Sequence, residues 1–134
     1  MIDKEIKNWA IKAMEDFNIA KHELTFPENE ISTGPVCFHR QQVVEEMLKA
    51  YLVSKKVDFG KAHDLETLLK LCSEQDSEFK NLTIGNLTDY AVEVRYPEEF
   101  YIPSVDEAKE CFELALKAKD FVLKKVELKE NKVK

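Results

Sequence analysis

Only two of the twenty basic residues are arginines, Arg40 and Arg95; the other eighteen are lysines. A guanidinium presents a planar fork of donors that matches phosphate or carboxylate, which a lysine ammonium does not. Arg95 is followed directly by Tyr96, and Tyr101 stands a few residues on. A phenol can cover a base with its ring or hydrogen-bond through its hydroxyl. Arg95 is therefore a candidate anion-binding residue, with Tyr96 and Tyr101 as candidates to cover a base beside it. Each has an ordinary alternative: Arg95 as a last-turn partner of helix carbonyls or of a carboxylate, the tyrosines as packing against the bundle or a second subunit.

A second group lies upstream. Gln42, Glu45 and Lys49 recur at helical spacing and share one side of a helix, with His39 and Leu52 at the ends of the row. Such a row is a solvated face, an intrahelical ion-pair network, or a surface for a partner or nucleotide. Glutamine suits the last role because its amide both donates and accepts. Glu45 and Glu46 are adjacent, so their side chains diverge by about 100° and cannot act together as a paired acid and base. His63 precedes Asp64, which reads either as an acid–base pair or as a loop histidine before a capping aspartate.

Other chemistry finds little footing. His22, His39 and His63 form no local metal-ligand motif, and Cys37, Cys72 and Cys111 lack Cys-x-x-Cys spacing, so buried free thiols are expected and no metal. No phosphate-cradling Gly-x-x-x-x-Gly-Lys-Ser/Thr loop is present, and no cofactor is implied. A formal net charge of −6 argues against a general nucleic-acid-binding surface.

These residues must be held by helices. The spacing predicts a first helix from about Asp3 to His22, with Ile2, Ile6, Trp9, Ala13, Phe17, Ala20 and Leu24 inward and Lys4, Lys7, Lys12 and Glu15 outward. Trp9, the single tryptophan, is expected to pack in the core, with stacking on a ligand as the lesser alternative. Thr25–Pro35 holds Pro27, Asn29, Gly34 and Pro35 and must be a connection. The central segment, Val36 to Lys56, carries a stripe of Cys37, Val44, Leu48 and Tyr51 flanked by Val36, Val43 and Met47, with Pro35 in its first turn and Gly34 just before it. A shorter helix follows from Asp64, its N-cap, to about Glu74. Gln75–Lys80 is polar and irregular. A fourth helix, Leu82 to Val94, stops at Arg95-Tyr96-Pro97, where proline disfavours helical geometry before it. Ser104 and Glu107 form a capping box opening the last helix, which runs to about Glu127. No strand alternation interrupts this series. The fold expected is all-α, an antiparallel up-and-down bundle of four to five helices in one domain, residues 1–134, with a frayed tail from about 127. No apolar run reaches the ~20 residues a bilayer crossing needs, and the N-terminus is not patterned as a signal peptide. A cytoplasmic protein with no membrane association is expected.

The ordered set Trp9/Ala13/Asp16/Ala20, Phe38-His39-Arg40-Gln41-Gln42 with Glu45 and Lys49, His63-Asp64-Leu65, and Arg95-Tyr96-Pro97 resembles the HEPN family of small helical domains, of the minimal single-domain kind. The resemblance implies a bundle that commonly homodimerises, binds nucleotides or RNA, and is often the partner of a minimal nucleotidyltransferase, as in toxin–antitoxin systems. Many relatives are metal-independent ribonucleases that use an Arg-x4–6-His motif. Here the positions that would carry the histidine are Phe100, Tyr101 and Ile102. Histidine, with a pKa of ~6.5, suits proton transfer near neutrality; tyrosine at ~10 is a poor base. The sequence thus favours a binding module, with Gln42, Glu45, Lys49, His63, Arg95, Tyr96 and Tyr101 as its contact residues. A ribonuclease using Arg95 with Tyr101, or with His63 or His39 where folding brings one beside Arg95, and a purely structural dimerising adaptor are the alternatives.

Overall fold

The computed structural model describes residues 4–82 and 102–128. Among these residues the fold is all-α, as expected: four α-helices, no strands, and two short 3₁₀ turns. Helix α1 spans Lys4–Glu23, α2 Thr33–Ser54, α3 Leu65–Gln75 and α4 Val105–Lys125. The predicted helix Leu82–Val94 and the Arg95-Tyr96-Pro97 segment lie outside the described residues, apart from Leu82, which has extended geometry after the second 3₁₀ turn.

The expected boundaries largely hold because their local chemistry is simple. Asp64 caps α3, its carboxylate accepting from the Glu66 amide. Ser104 and Glu107 complete a reciprocal capping box at α4, at 3.1 and 2.9 Å. The central helix begins three residues earlier than predicted. Gly34 is helical and buried rather than preceding the helix, and Pro35 sits in the first turn, where its missing N–H costs nothing.

Helix α2 departs further from a one-stripe reading. Every residue from Val43 to Leu52 is buried, because α1, α4 and α3 all pack against it while α1 also touches α4. A helix surrounded in this way has little face left for solvent. Ile6, Ala10, Ala13, Met14 and Phe17 of α1 meet Val43, Val44, Met47 and Leu48 of α2 in the main core, closed by Ala115, Ala118 and Val122 of α4. Small alanines at these positions let the helices approach closely.

The segment expected to be polar and irregular also contributes to the core. Asp76 caps the 3₁₀ turn Ser77–Asn81, which drives Phe79 to complete burial between Tyr51 and Phe121, at ring centroid separations of 4.4 and 4.9 Å. Lys125 Nζ ties this turn to α4 through Asp76 (2.7 Å) and Glu78 (2.9 Å). These partners hold Lys125 more firmly protonated, while the Lys125 ammonium lowers the Asp76 carboxyl below its usual range.

Candidate functional site

Helix α2 ends without glycine. Lys56 takes a left-handed φ of 58°, and the amides of Lys56 and Val57 return to the carbonyls of Val53 and Leu52, both at 3.0 Å. This pattern caps the last turn and reverses the chain. The returning segment, Val57–Asp64, brings Phe59 and His63 back alongside the middle of α2. Phe59 meets the edge of Trp9 on α1, with ring centroids 6.2 Å apart and planes at 73°.

Lys49 rises beneath this aromatic pair, its ammonium 5.3 Å from the Trp9 ring and 5.4 Å from the Phe59 ring. Such a position offers cation–π stabilisation to a charge removed from water. Glu45, one turn earlier, accepts from Lys49 Nζ at 3.0 Å. The same Glu45 oxygen lies 3.0 Å from His63 Nδ1, which is itself 3.4 Å from Lys49 Nζ. Glu45 and Lys49 are buried, whereas the His63 side chain is 76% exposed. The Gln42–Glu45–Lys49 row is therefore no solvated face: it is the floor of a groove between α1 and α2. His63 meets Glu45 from the loop before α3, in addition to preceding the capping Asp64.

The groove encloses about 390 Å³ and is lined by Trp9, Lys12, Phe38, Gln41, Gln42, Glu45, Glu46, Lys49 and His63. Its size falls within the range of small-molecule sites. Lys12 lies over the Trp9 ring at 4.9 Å and is exposed at the mouth. Trp9 is thus only half-buried and borders a cavity, instead of serving the core alone.

One wall is a carboxyl pair that the sequence did not disclose. Glu46 does not meet Glu45; it turns toward Asp16 of α1. Burial raises the Glu46 carboxyl to about 9, and the hydrogen bond and charge of Asp16 add to that effect while Lys12 opposes it. Glu46 is consequently protonated near neutral pH and donates to Asp16. Asp16 is in turn 2.7 Å from His39 Nδ1, so His39 belongs to this pair rather than to the groove lining. Glu46 Oε1 and Gln41 Oε1 are buried without a hydrogen-bond partner among the described residues.

Four of the seven residues singled out in the sequence, Gln42, Glu45, Lys49 and His63, are brought together here. Arg95, Tyr96 and Tyr101 lie outside the described residues. Trp9, Lys12, Phe38, Gln41 and Glu46 line the same groove and were not assigned to a site. Phe38, Gln41 and Glu46 fall at helical spacing with Gln42, Glu45 and Lys49 on α2, a signal present in the sequence; only the α1–α2 packing register joins Trp9 and Lys12 to them. Among the described residues no cluster of histidine, cysteine or acidic side chains is arranged to hold a metal, and no helix is long and apolar enough to cross a membrane.

A family model for the HEPN domain matches residues 6–126 of the 134-residue chain. The chain belongs to the HEPN domain family. The match spans α1 to α4, and HEPN membership supports a nucleotide- or RNA-related helical module. HEPN domains often dimerise. Searches of curated proteins and of solved structures found no match.

Proposed function

We propose that this HEPN domain binds a nucleotide or an RNA end in the α1–α2 groove and works as the partner of a minimal nucleotidyltransferase, as a homodimer. The observation that carries the reading is the makeup of one cavity of about 390 Å³: aromatic rings of Trp9 and Phe38, the amides of Gln41 and Gln42, and the Lys12 ammonium at its mouth. A base gains stacking from rings, an edge is read by amides, and a phosphate is drawn by an exposed cation. The buried Glu46 is neutral near pH 7, so this side chain adds no repulsion toward a nucleotide's charge, and the Glu45 carboxylate is paired with Lys49. On this reading Arg95 holds a phosphate, and Tyr96 or Tyr101 stacks or hydrogen-bonds beside it. The nucleotidyltransferase supplies the metal-dependent chemistry. A toxin–antitoxin pairing suits such an arrangement.

Trp9 is the chain's single tryptophan, so its fluorescence reports on the groove alone. Titration with each of the four ribonucleoside triphosphates and with a short single-stranded RNA should give saturable quenching with at least one of them. Gln42→Ala, Lys12→Ala and Arg95→Ala should weaken it. Absence of any saturable change with the whole set would overturn the proposal.

A second reading, metal-independent RNA cleavage, draws on one observation. His63 is oriented by Glu45 through Nδ1 at 3.0 Å while its ring stays largely exposed, leaving Nε2 for a proton transfer. RNA cleavage in EDTA that is lost in both His63→Gln and Arg95→Ala would establish it over the binding-only reading. An uncut RNA would reject it.

A further inference from the structure

The two best-placed nucleophiles outside the groove are cysteines. Cys37 lies in the second turn of α2 and Cys111 in the second turn of α4, and their sulfurs are 2.6 Å apart although 74 positions separate them in sequence. Both are free and buried, at 0% and 2% exposure. That spacing is only about 0.6 Å longer than the ~2.05 Å of a disulfide bond. Both Cα atoms belong to long helices fixed by the core, so the sulfurs are held together by the fold and not by a flexible loop.

We propose that Cys37 and Cys111 are a redox modification site, a dithiol that a small hydroperoxide converts into a disulfide joining α2 to α4. The two sulfurs are not equivalent. Hydrogen bonding from Cys37 lowers the Cys111 thiol below its ordinary range, and the Arg40 guanidinium adds charge and a further hydrogen bond, outweighing burial and the nearby Glu107 carboxylate. The Cys37 thiol is pushed up, chiefly by its hydrogen bond with Cys111 and by burial. The Arg40 hydrogen bond to Cys111 favours Cys111 as the attacking sulfur and Cys37 as the resolving one.

The sequence of bonds balances. Cys111 thiolate attacks one peroxide oxygen, the O–O bond breaks, and hydroxide leaves as Cys111 becomes a sulfenic acid. Cys37 sulfur then attacks the Cys111 sulfur, the S–O bond breaks, and the Cys37 thiol proton departs with the oxygen as water. The first hydroxide takes the proton that Cys111 had released. One hydroperoxide is reduced by two electrons and two thiols are oxidised to one disulfide. For Arg40 this gives a role distinct from phosphate binding: it is buried at 2% exposure, beside the thiolate it helps to stabilise.

Cys72 supplies the internal control. It is as fully buried as Cys37, but its contact is the Leu48 carbonyl at 3.7 Å rather than another sulfur, and desolvation raises its thiol to about 12. The native chain should be treated with equimolar hydrogen peroxide, quenched, unfolded and alkylated, then weighed intact and mapped by peptide. The expected result is a loss of two hydrogens, a single alkylated cysteine at Cys72, a cross-linked peptide joining Cys37 to Cys111, and full reversal by dithiothreitol. Cys37→Ser should instead trap Cys111 as a sulfenic acid that reacts with dimedone, and Arg40→Lys should slow the first step. Both variants are compared by circular dichroism so that a misfolded protein is not scored. Three alkylated cysteines after treatment, or a cross-link that includes Cys72, would overturn the proposal.

Discussion

Glu46 offers a sharp test of the buried carboxyl pair. Its carboxyl is raised from 4.5 to about 9, first by burial and then by Asp16. Across the window between those values the folded chain keeps a proton that the unfolded chain has released. Stability from this group is therefore fully present below about pH 4.5, falls as pH rises, and stops falling once the pH has passed about 9. One proton's difference corresponds to about 1.4 kcal/mol per pH unit, so the ceiling from about pH 6 to about pH 8 is ~2.7 kcal/mol. Because Glu46 interacts closely with a neighbouring carboxyl and Lys12 opposes the shift, about half of that ceiling, roughly 1–1.5 kcal/mol, is the expectation. Glu46→Gln keeps the shape and offers an amide donor to Asp16 but cannot titrate. Urea unfolding of both proteins at several pH values gives a difference curve in which all other ionisations largely cancel. Glu46→Gln should gain on the native protein steadily as pH rises from about 6 to 8. A flat difference curve would refute the neutral Glu46 and, with it, the argument that Glu46 adds no charge of its own to this wall of the groove.

Two further outcomes follow from buried contacts. Glu45→Ala removes the carboxylate from Lys49, whose side chain is 4% exposed, and leaves an ammonium without its anion beneath Trp9 and Phe59. A loss of about 3–5 kcal/mol in denaturant unfolding is expected, and a loss below about 1 kcal/mol, the scale of an exposed pair, would show that Lys49 reaches water. Phe79→Ala empties the space between Tyr51 and Phe121 and should cost about 3–5 kcal/mol. A cost near zero by the same unfolding measurement would mean that the 3₁₀ turn collapses into the cavity or is dispensable.

The sequence by itself determined the features set by local rules. Periodicity located α1, α2, α3 and α4, and side-chain capping chemistry marked Asp64 and Ser104, because a helix start depends on the few residues around it. The ordered residues from Trp9 to Arg95-Tyr96-Pro97 pointed to the HEPN family, as the family match over residues 6–126 shows. Gln42, Glu45 and Lys49 were grouped correctly for the same reason, since one helix's spacing places them together.

Tertiary structure decided what surrounds them. A row on α2 faces water or a groove according to which helices flank it, and periodicity within α2 carries no record of its neighbours. Hence Lys49 lies buried under Trp9 and Phe59, although its place in the row also suits a solvated lysine. The same limit hid two pairings between helices. Adjacent Glu45 and Glu46 diverge, as their 100° separation requires, but only the α1–α2 packing shows that Glu46 meets Asp16. Cys37 and Cys111 stand far apart in the chain, and the docking of α2 on α4 brings their sulfurs together. A charged or nucleophilic side chain takes its chemistry from the atoms around it, and in this bundle those atoms come from other helices.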